Sequence, residues 1–206
     1  MSFTVTEIKE RINILTDEYA SSYLSDSKWT TLWNKASTLF FGKLLSKYGA
    51  TKRIDENMQC IVASATAPVS TYEIDLTGVA LPDYWKFINV KPTYVSGGDT
   101  YSEYARELKP SEKGSVYSGG SFMYPRYTFV QDAILLYPET GTCATALVEY
   151  FRKPFDVDFS NPNDTAPYDS DTLDRIILEF ANQLSIFERD DAFSAQIENE
   201  INQGDD

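Results

Sequence analysis

Two hydrophobic periods alternate along this chain. From Asp169 to Gln203 the apolar positions recur every three or four residues: Ile176, Ile177, Phe180, Ala181, Leu184 and Phe187, then Phe193, Ile197 and Ile201 beyond an Asp190-Asp191 interruption. That spacing predicts two consecutive helices or one bent helix. The start is marked by Asp169-Ser170-Asp171-Thr172-Leu173-Asp174, whose acidic and hydroxyl groups accept from unpaired N–H groups at the positive end of a helix. The second half carries only a thin apolar stripe on an acidic helix. It suits docking onto another surface through Phe193, Ile197 and Ile201, and equally suits capping the protein's own core.

The N-terminal stretch repeats the helical period. Thr4-x-x-Glu7 is a capping box, and Ile8, Ile12, Leu15 and Tyr19 mark a face behind it. Ser25-Asp26 starts a second helix with a stripe of Trp29, Leu32, Trp33, Ala36, Leu39, Phe40 and Leu44. Gly49 stands where a left-handed C-terminal cap is expected.

Between these ends the period falls to two. Tyr72, Ile74 and Leu76 alternate with Thr71, Glu73, Asp75 and Thr77, as in a half-buried strand. Cys60 to Ala63 reads as another strand. Leu81-Pro82-Asp83-Tyr84 is a turn into the strand Trp85–Val90. Tyr127–Val130, Gln131-Asp132 and Ala133–Tyr137 form a hairpin, and Ala144–Phe151 is a last strand ended by Arg152-Lys153-Pro154. The fold class is therefore α+β. Residues 1–50 and 155–206 supply a helical bundle, and residues 51–154 an inserted antiparallel sheet or small barrel.

The stretch from Ser96 to Arg126 departs from both patterns. It holds Ser96-Gly97-Gly98-Asp99 and Ser118-Gly119-Gly120-Ser121, with Tyr94, Tyr101, Tyr104, Tyr117, Tyr124 and Tyr127 interleaved or flanking. A short helix is expected from Tyr101 to Leu108, in an otherwise looped excursion. Tyrosine supplies contact area at low entropy cost while Gly and Ser adapt. Tyr101, Tyr104, Tyr117 and Tyr124 are thus candidate partner-contact residues.

Charge and cysteine usage narrow the picture. The 206 residues carry a net charge of −13. From Phe155 onward 14 Asp and Glu face only Arg175 and Arg189, so the tail holds nearly all of it. This argues against binding a phosphate backbone through the tail. It fits docking on a basic protein surface, or a solvated acidic face. No apolar run approaches the roughly 20 residues of a membrane helix, so no membrane association is expected. The first residues lack the basic and apolar regions of a signal peptide. Cys60 and Cys143 fit buried, reduced thiols of a protein made in the cytoplasm.

Catalytic chemistry finds little support. There is no His, which removes Ser-His-Asp and Cys-His sets and His-containing zinc sites. No phosphate- or dinucleotide-binding glycine loop occurs. The Asp156-x-Asp158-x-Ser160 run opens like a calcium loop, but Asn161 replaces the turn glycine and Pro167 the closing Glu. Asn163-Asp164-Thr165 fits the glycosylation pattern, with nothing to suggest secretion. Glu149 lies between Val148 and Tyr150 and should point to solvent. No cofactor, no metal and no catalytic residue is expected.

Several short motifs resemble a known family in their order. Ser25-Asp26-Ser27-Lys28-Trp29 with Asn34-Lys35-Ala36, after an N-terminal helix, is similar to the opening of the head-to-tail connector, or adaptor, proteins of short-tailed phages. Leu81-Pro82-Asp83-Tyr84 resembles that family's turn with one spacer residue missing. Leu136-Tyr137-Pro138 and Val148-Glu149-Tyr150-Phe151-Arg152-Lys153-Pro154 resemble the ending of its last strands. Ring proteins of crAss-like phages are a related comparison. The resemblance implies a non-enzymatic virion protein at the head–tail junction. It implies a homo-oligomeric ring of about twelve copies, closed by cyclic symmetry, on the portal protein. The helices and C-terminal segment would grip the portal, and the β part would meet the neighbouring tail or ring protein. DNA would pass an acidic lumen without sequence-specific contact. The alternative reading is a β-rich binding module, recognising glycan or protein in a surface or receptor-binding structure, carried by the tyrosine-rich stretch.

Overall fold

The computed structural model describes residues 2–15, 24–78, 80–109 and 120–203; side chains at 15, 188 and 190–203 lie outside the description. The chain forms two compact units, Met1–Cys60 with Pro154–Asp206, and Ile61–Lys153.

The first unit is helical. A short strand β1 (Phe3–Thr4) pairs antiparallel with β10 (Thr165–Ala166) and leads into helix α1 (Val5–Leu15). The capping box is present: Thr4 N donates to Glu7 Oε2 at 2.7 Å and Glu7 N to Thr4 Oγ1 at 3.3 Å. Helix α2 (Asp26–Thr51) starts at Ser25, whose hydroxyl accepts from Lys28 N. Helix α3 (Ser170–Gln203) is one continuous element, which decides between the two readings of that stretch. Asp169 caps it, accepting from Thr172 N at 2.9 Å and Thr172 Oγ1 at 2.9 Å.

Two details of α2 depart from the sequence reading. Gly49 is not the cap. The helix runs on to Thr51, and Lys52 takes the left-handed conformation (φ 56°) with its N–H on Tyr48 O at 2.7 Å. Leu39 is off the buried stripe at 37 % exposure, and Phe41 replaces it. Leu39 sits about 120° round the helix from Trp33. The buried face is Trp29, Leu32, Trp33, Ala36, Ser37, Phe41, Leu44, Leu45 and Tyr48. On α3 the buried side is Leu173, Ile176, Ile177, Phe180 and Leu184, as its spacing demands.

The second unit holds two four-stranded sheets. One has the order β2 (Val62–Pro68), β9 (Thr142–Arg152), β4 (Tyr84–Ser96), β5 (Asp99–Ser102). The other has the order β3 (Glu73–Asp75), β8 (Ala133–Tyr137), β7 (Arg126–Val130), β6 (Arg106–Glu107). Ala67, Ile74, Leu76, Val90, Tyr94, Ile134, Leu136, Val148 and Tyr150 from both sheets share one core cluster. Every pairing is antiparallel except β6 with β7, which is parallel.

Two expectations are corrected here. Cys60 lies not in a strand but in a 3-10 helix (Glu56–Ile61), and the strand starts at Val62. Cys60 is half-buried and Cys143 buried; both are reduced thiols. The helix expected from Tyr101 to Leu108 does not form. Gly97 (φ 63°) and Gly98 (φ 93°) instead make a two-residue hairpin turn that folds β5 back on β4. Both central residues at positive φ is the turn that suits strand twist, so Gly97-Gly98 overrides the helical propensity behind it.

Candidate functional site

The motifs that order the chain turn out to hold it together. Asp83, at the left-handed tip of the Leu81–Tyr84 turn (φ 56°), is gripped by the end of β9. Its carbonyl accepts from Lys153 N at 2.7 Å, and its carboxylate from Arg152 Nη2 at 3.1 Å. The Tyr150 hydroxyl donates to Pro82 O at 3.1 Å, and the Tyr84 and Tyr150 rings lie 5.8 Å apart. The turn and the strand ending are therefore two halves of one clamp.

The helical unit uses the same device. Asn34 Oδ1 accepts from Val157 N at 3.1 Å, and Thr30 Oγ1 from Phe159 N at 3.0 Å. These bonds satisfy backbone of the loop before α3, where Val157 and Phe159 are buried. Phe159 and Phe180 then stack against Trp29, with centroids 5.5 and 5.0 Å away. Thus Ser25–Ala36 fixes helix start, loop and α3 together. The Asp156–Ser160 run is part of this loop, where Asp158 accepts from Ser160 N and Oγ. Those bonds hold the Asp158 carboxyl below the usual carboxylate range.

Aromatic and apolar side chains also face outward. Tyr104, Met123 and Tyr124 are exposed, Tyr124 at 73 %. With Asn89, Glu103, Ala105, Arg106 and Pro125 they line an open cleft of about 410 Å³. The Tyr104 hydroxyl donates to Glu149 Oε1 at 2.8 Å, which raises its pKa, and Lys91 Nζ stands 5.5 Å from its ring centre. Tyr124 sits in a Ser121–Tyr124 turn, both pairing backbone to backbone. Tyr101 differs: it is half-buried and stacks on Phe122 at 5.4 Å, so its ring serves the sheet unit's interior. Tyr117 lies outside the described residues. Phe193, Ile197 and Ile201 fall on α3, where side chains are outside the description.

A second outward feature escaped the sequence reading. Ile14 (76 %) and Leu178 (63 %) are exposed beside the Arg11–Asp174 ion pair, and the four line a shallow cleft of about 330 Å³. Leu178 follows the doublet Ile176-Ile177, which hides it among core residues in a sequence pattern. Met123 and Arg106 were likewise missed, because nothing local in sequence links them to Tyr104.

The acidity of α3 is partly answered within its own unit. Arg11 pairs with Asp174 at 2.8 Å, Lys43 with Glu179 at 2.6 Å and Arg175 with Asp171 at 2.9 Å. The helical unit still holds 21 acidic against ten basic residues, and the sheet unit ten against eight. Among the described residues no His, Cys, Asp and Glu group is placed to hold a metal ion, and no helix is long and apolar enough to cross a membrane.

Clamped loops and exposed aromatic groups on an α+β frame suit a protein that works through its surfaces. The comparison with protein families makes that specific: the model of the SU10 adaptor protein family matches residues 5–206. The chain belongs to that family, and is a phage structural adaptor. No curated protein matches it.

Proposed function

We propose that this chain is a head-to-tail adaptor of the virion, forming a ring of about twelve copies, closed by cyclic symmetry, between portal and tail. The observation that carries this reading is the family match across residues 5–206. The helical unit, with its excess of acid, is the part that meets the portal. The sheet unit, with Tyr104, Met123 and Tyr124 exposed, meets the next tail or ring component. Aromatic and methionine side chains are enriched in such contacts: tyrosine buries a large area with few rotors to freeze, and methionine adapts to an irregular surface. An acidic helical unit facing the lumen repels DNA and lets it slide past.

The test is to mix the purified protein with the portal of the same phage and image the product by electron microscopy. A ring stacked on the portal with the portal's symmetry is expected. Absence of association at micromolar concentration would overturn the proposal. Chain synthesis in the host cytoplasm, before assembly, accords with two reduced thiols.

A further inference from the structure

The two sheets of the second unit treat their edges differently. In the sheet β3-β8-β7-β6 both outer strands are short and charged: β3 is Glu73-Ile74-Asp75 and β6 is Arg106-Glu107. Such edges resist pairing with another chain. In the sheet β2-β9-β4-β5 the outer strand β2 runs seven residues, Val-Ala-Ser-Ala-Thr-Ala-Pro, without a charge. Its register with β9 is unbroken from Val62↔Phe151 to Pro68↔Thr145, with no bulge to twist it away. Proline enters only at the last position. Half of its backbone N–H and C=O groups point away from β9 with no strand beside them among the described residues.

The opposite edge, β5, is four residues long and opens on Asp99, but its direction and outer side chains match β2. Counting across the sheet, β2, β9, β4 and β5 alternate in direction. With four strands the two outer ones run opposite ways. A copy placed head to tail therefore brings its β2 antiparallel to this β5. The side chains also agree. Tyr94 and Tyr101 are paired and face the core, as do Ala63, Ala65 and Ala67. By the pleat, Ser64 and Thr66 on β2, and Thr100 and Ser102 on β5, share the outer face. These are small hydroxyl residues of the kind that pair well across strands.

We propose that β2 of one copy extends the sheet of its neighbour by pairing antiparallel with β5, so that the ring is laced by main-chain hydrogen bonds. This rests on the ring reading above. Head-to-tail contact is the type that generates rings, whereas β2 on β2 would stop at a dimer. The edges are staggered: β5 lies beside β4 residues Thr93–Ser96, of which Thr93–Val95 pair with β9 at Thr142–Thr145, while β2 pairs with β9 from Thr145 to Phe151. Neighbours therefore join with strands inclined to the ring axis, as in closed β structures.

The experiment uses the full chain assembled on its portal. Thr66→Cys with Thr100→Cys should give, on mild oxidation, a ladder of cross-linked copies up to the full ring, which neither single variant nor the parent thiols give. Ser64→Lys with Thr66→Lys places charges on the exposed face of β2. This variant should keep the parent's circular dichroism and melting temperature while losing ring formation at least tenfold in protein concentration. A portal-bound ring that forms equally well with the lysines and yields no ladder would overturn the strand pairing and leave the adaptor reading intact. A Thr66→Cys single variant that cross-links as a dimer would also overturn it. A chain that stays monomeric with and without portal would overturn both.

Discussion

Replacing Phe180 with Ala should unhinge the helical unit. The ring is fully buried. It stacks on Trp29 at 5.0 Å with 12° between planes and meets Trp33 at 6.3 Å, tilted by 47°. Phe159 touches the same two indoles from the loop, at 5.5 and 5.8 Å. The four rings bind α2, the loop before α3, and α3 itself. Truncation removes the transfer free energy of the ring and leaves a cavity, about 3–5 kcal/mol together. Of that, about 0.5–1.5 kcal/mol belongs to the ring contacts. A domain of this size has a stability of about 5–15 kcal/mol, so the loss is a large share of it. Phe180→Leu fills most of the space and loses chiefly the ring contacts, about 0.5–1.5 kcal/mol.

Urea unfolding followed by the far-UV helix signal measures both variants, and tryptophan fluorescence reports the environment of Trp29 and Trp33, with Trp85 in β4 as the background emitter. The expected order is parent, Leu, then Ala, with the indole emission of Ala shifted towards solvent in the native state. A cost below about 1 kcal/mol for Phe180→Ala, with an unchanged denaturant slope, would refute the claim that this cluster carries the unit.

Other outcomes follow from the same geometry. Asn34→Ala leaves the Val157 N–H without its acceptor and should cost about 1–3 kcal/mol, since a buried donor is stranded; Asn34→Asp retains the acceptor and should cost less in thermal melting. Asp169 is held below the usual carboxylate range first by the Thr172 N–H, so its cap stabilises above the unfolded-state pKa and is lost as pH falls through the lower folded value. Acid melting should therefore be blunted in Asp169→Asn relative to the parent, with Asp55 and Glu7, lowered by Asn57 and Thr4 respectively, supplying the remaining slope. Lys52→Gly relieves the left-handed strain at the end of α2 and should raise stability by about 0.5–1 kcal/mol, read as a melting-temperature increase. Tyr124→Ala should leave melting unchanged while weakening the tail-side contact in a pull-down, whereas Tyr101→Ala should lower stability because its ring packs on Phe122.

How much of this was legible in the chain depends on how local the cause is. Helix starts were readable because Thr4, Ser25 and Asp169 act within three residues of themselves. The α3 stripe was readable because one face buries one period. The end of α2 was not: the glycine at 49 fits the cap pattern, but Tyr48 and Leu45 still face the core, and burial carries the helix past it to Lys52. The helix expected at Tyr101–Leu108 failed for a related reason. By composition Gly97-Gly98 belongs to a looped excursion, but two adjacent glycines between Val95 and Thr100 are a hairpin signal. Reading it so would have placed Tyr101 inside and left Tyr104 and Tyr124 as the exposed pair.

The cleft proposed as a contact surface was the least readable part, because its members come from separate strands. Asn89 on β4, Tyr104 after β5 and Met123 before β7 meet only once the sheets are paired. The same holds for the clamp: Asp83 and Arg152 are 69 positions apart, yet their bond explains why a turn motif and a strand-ending motif occur together in one chain. The motif order that pointed to the family therefore records the protein's internal fastenings. The exposed residues proposed as its outward contacts lie in no short motif. Family membership can thus be clear from sequence while the interface is not: the fastenings are short-range patterns repeated in fixed order, and the interface is a product of the fold they secure.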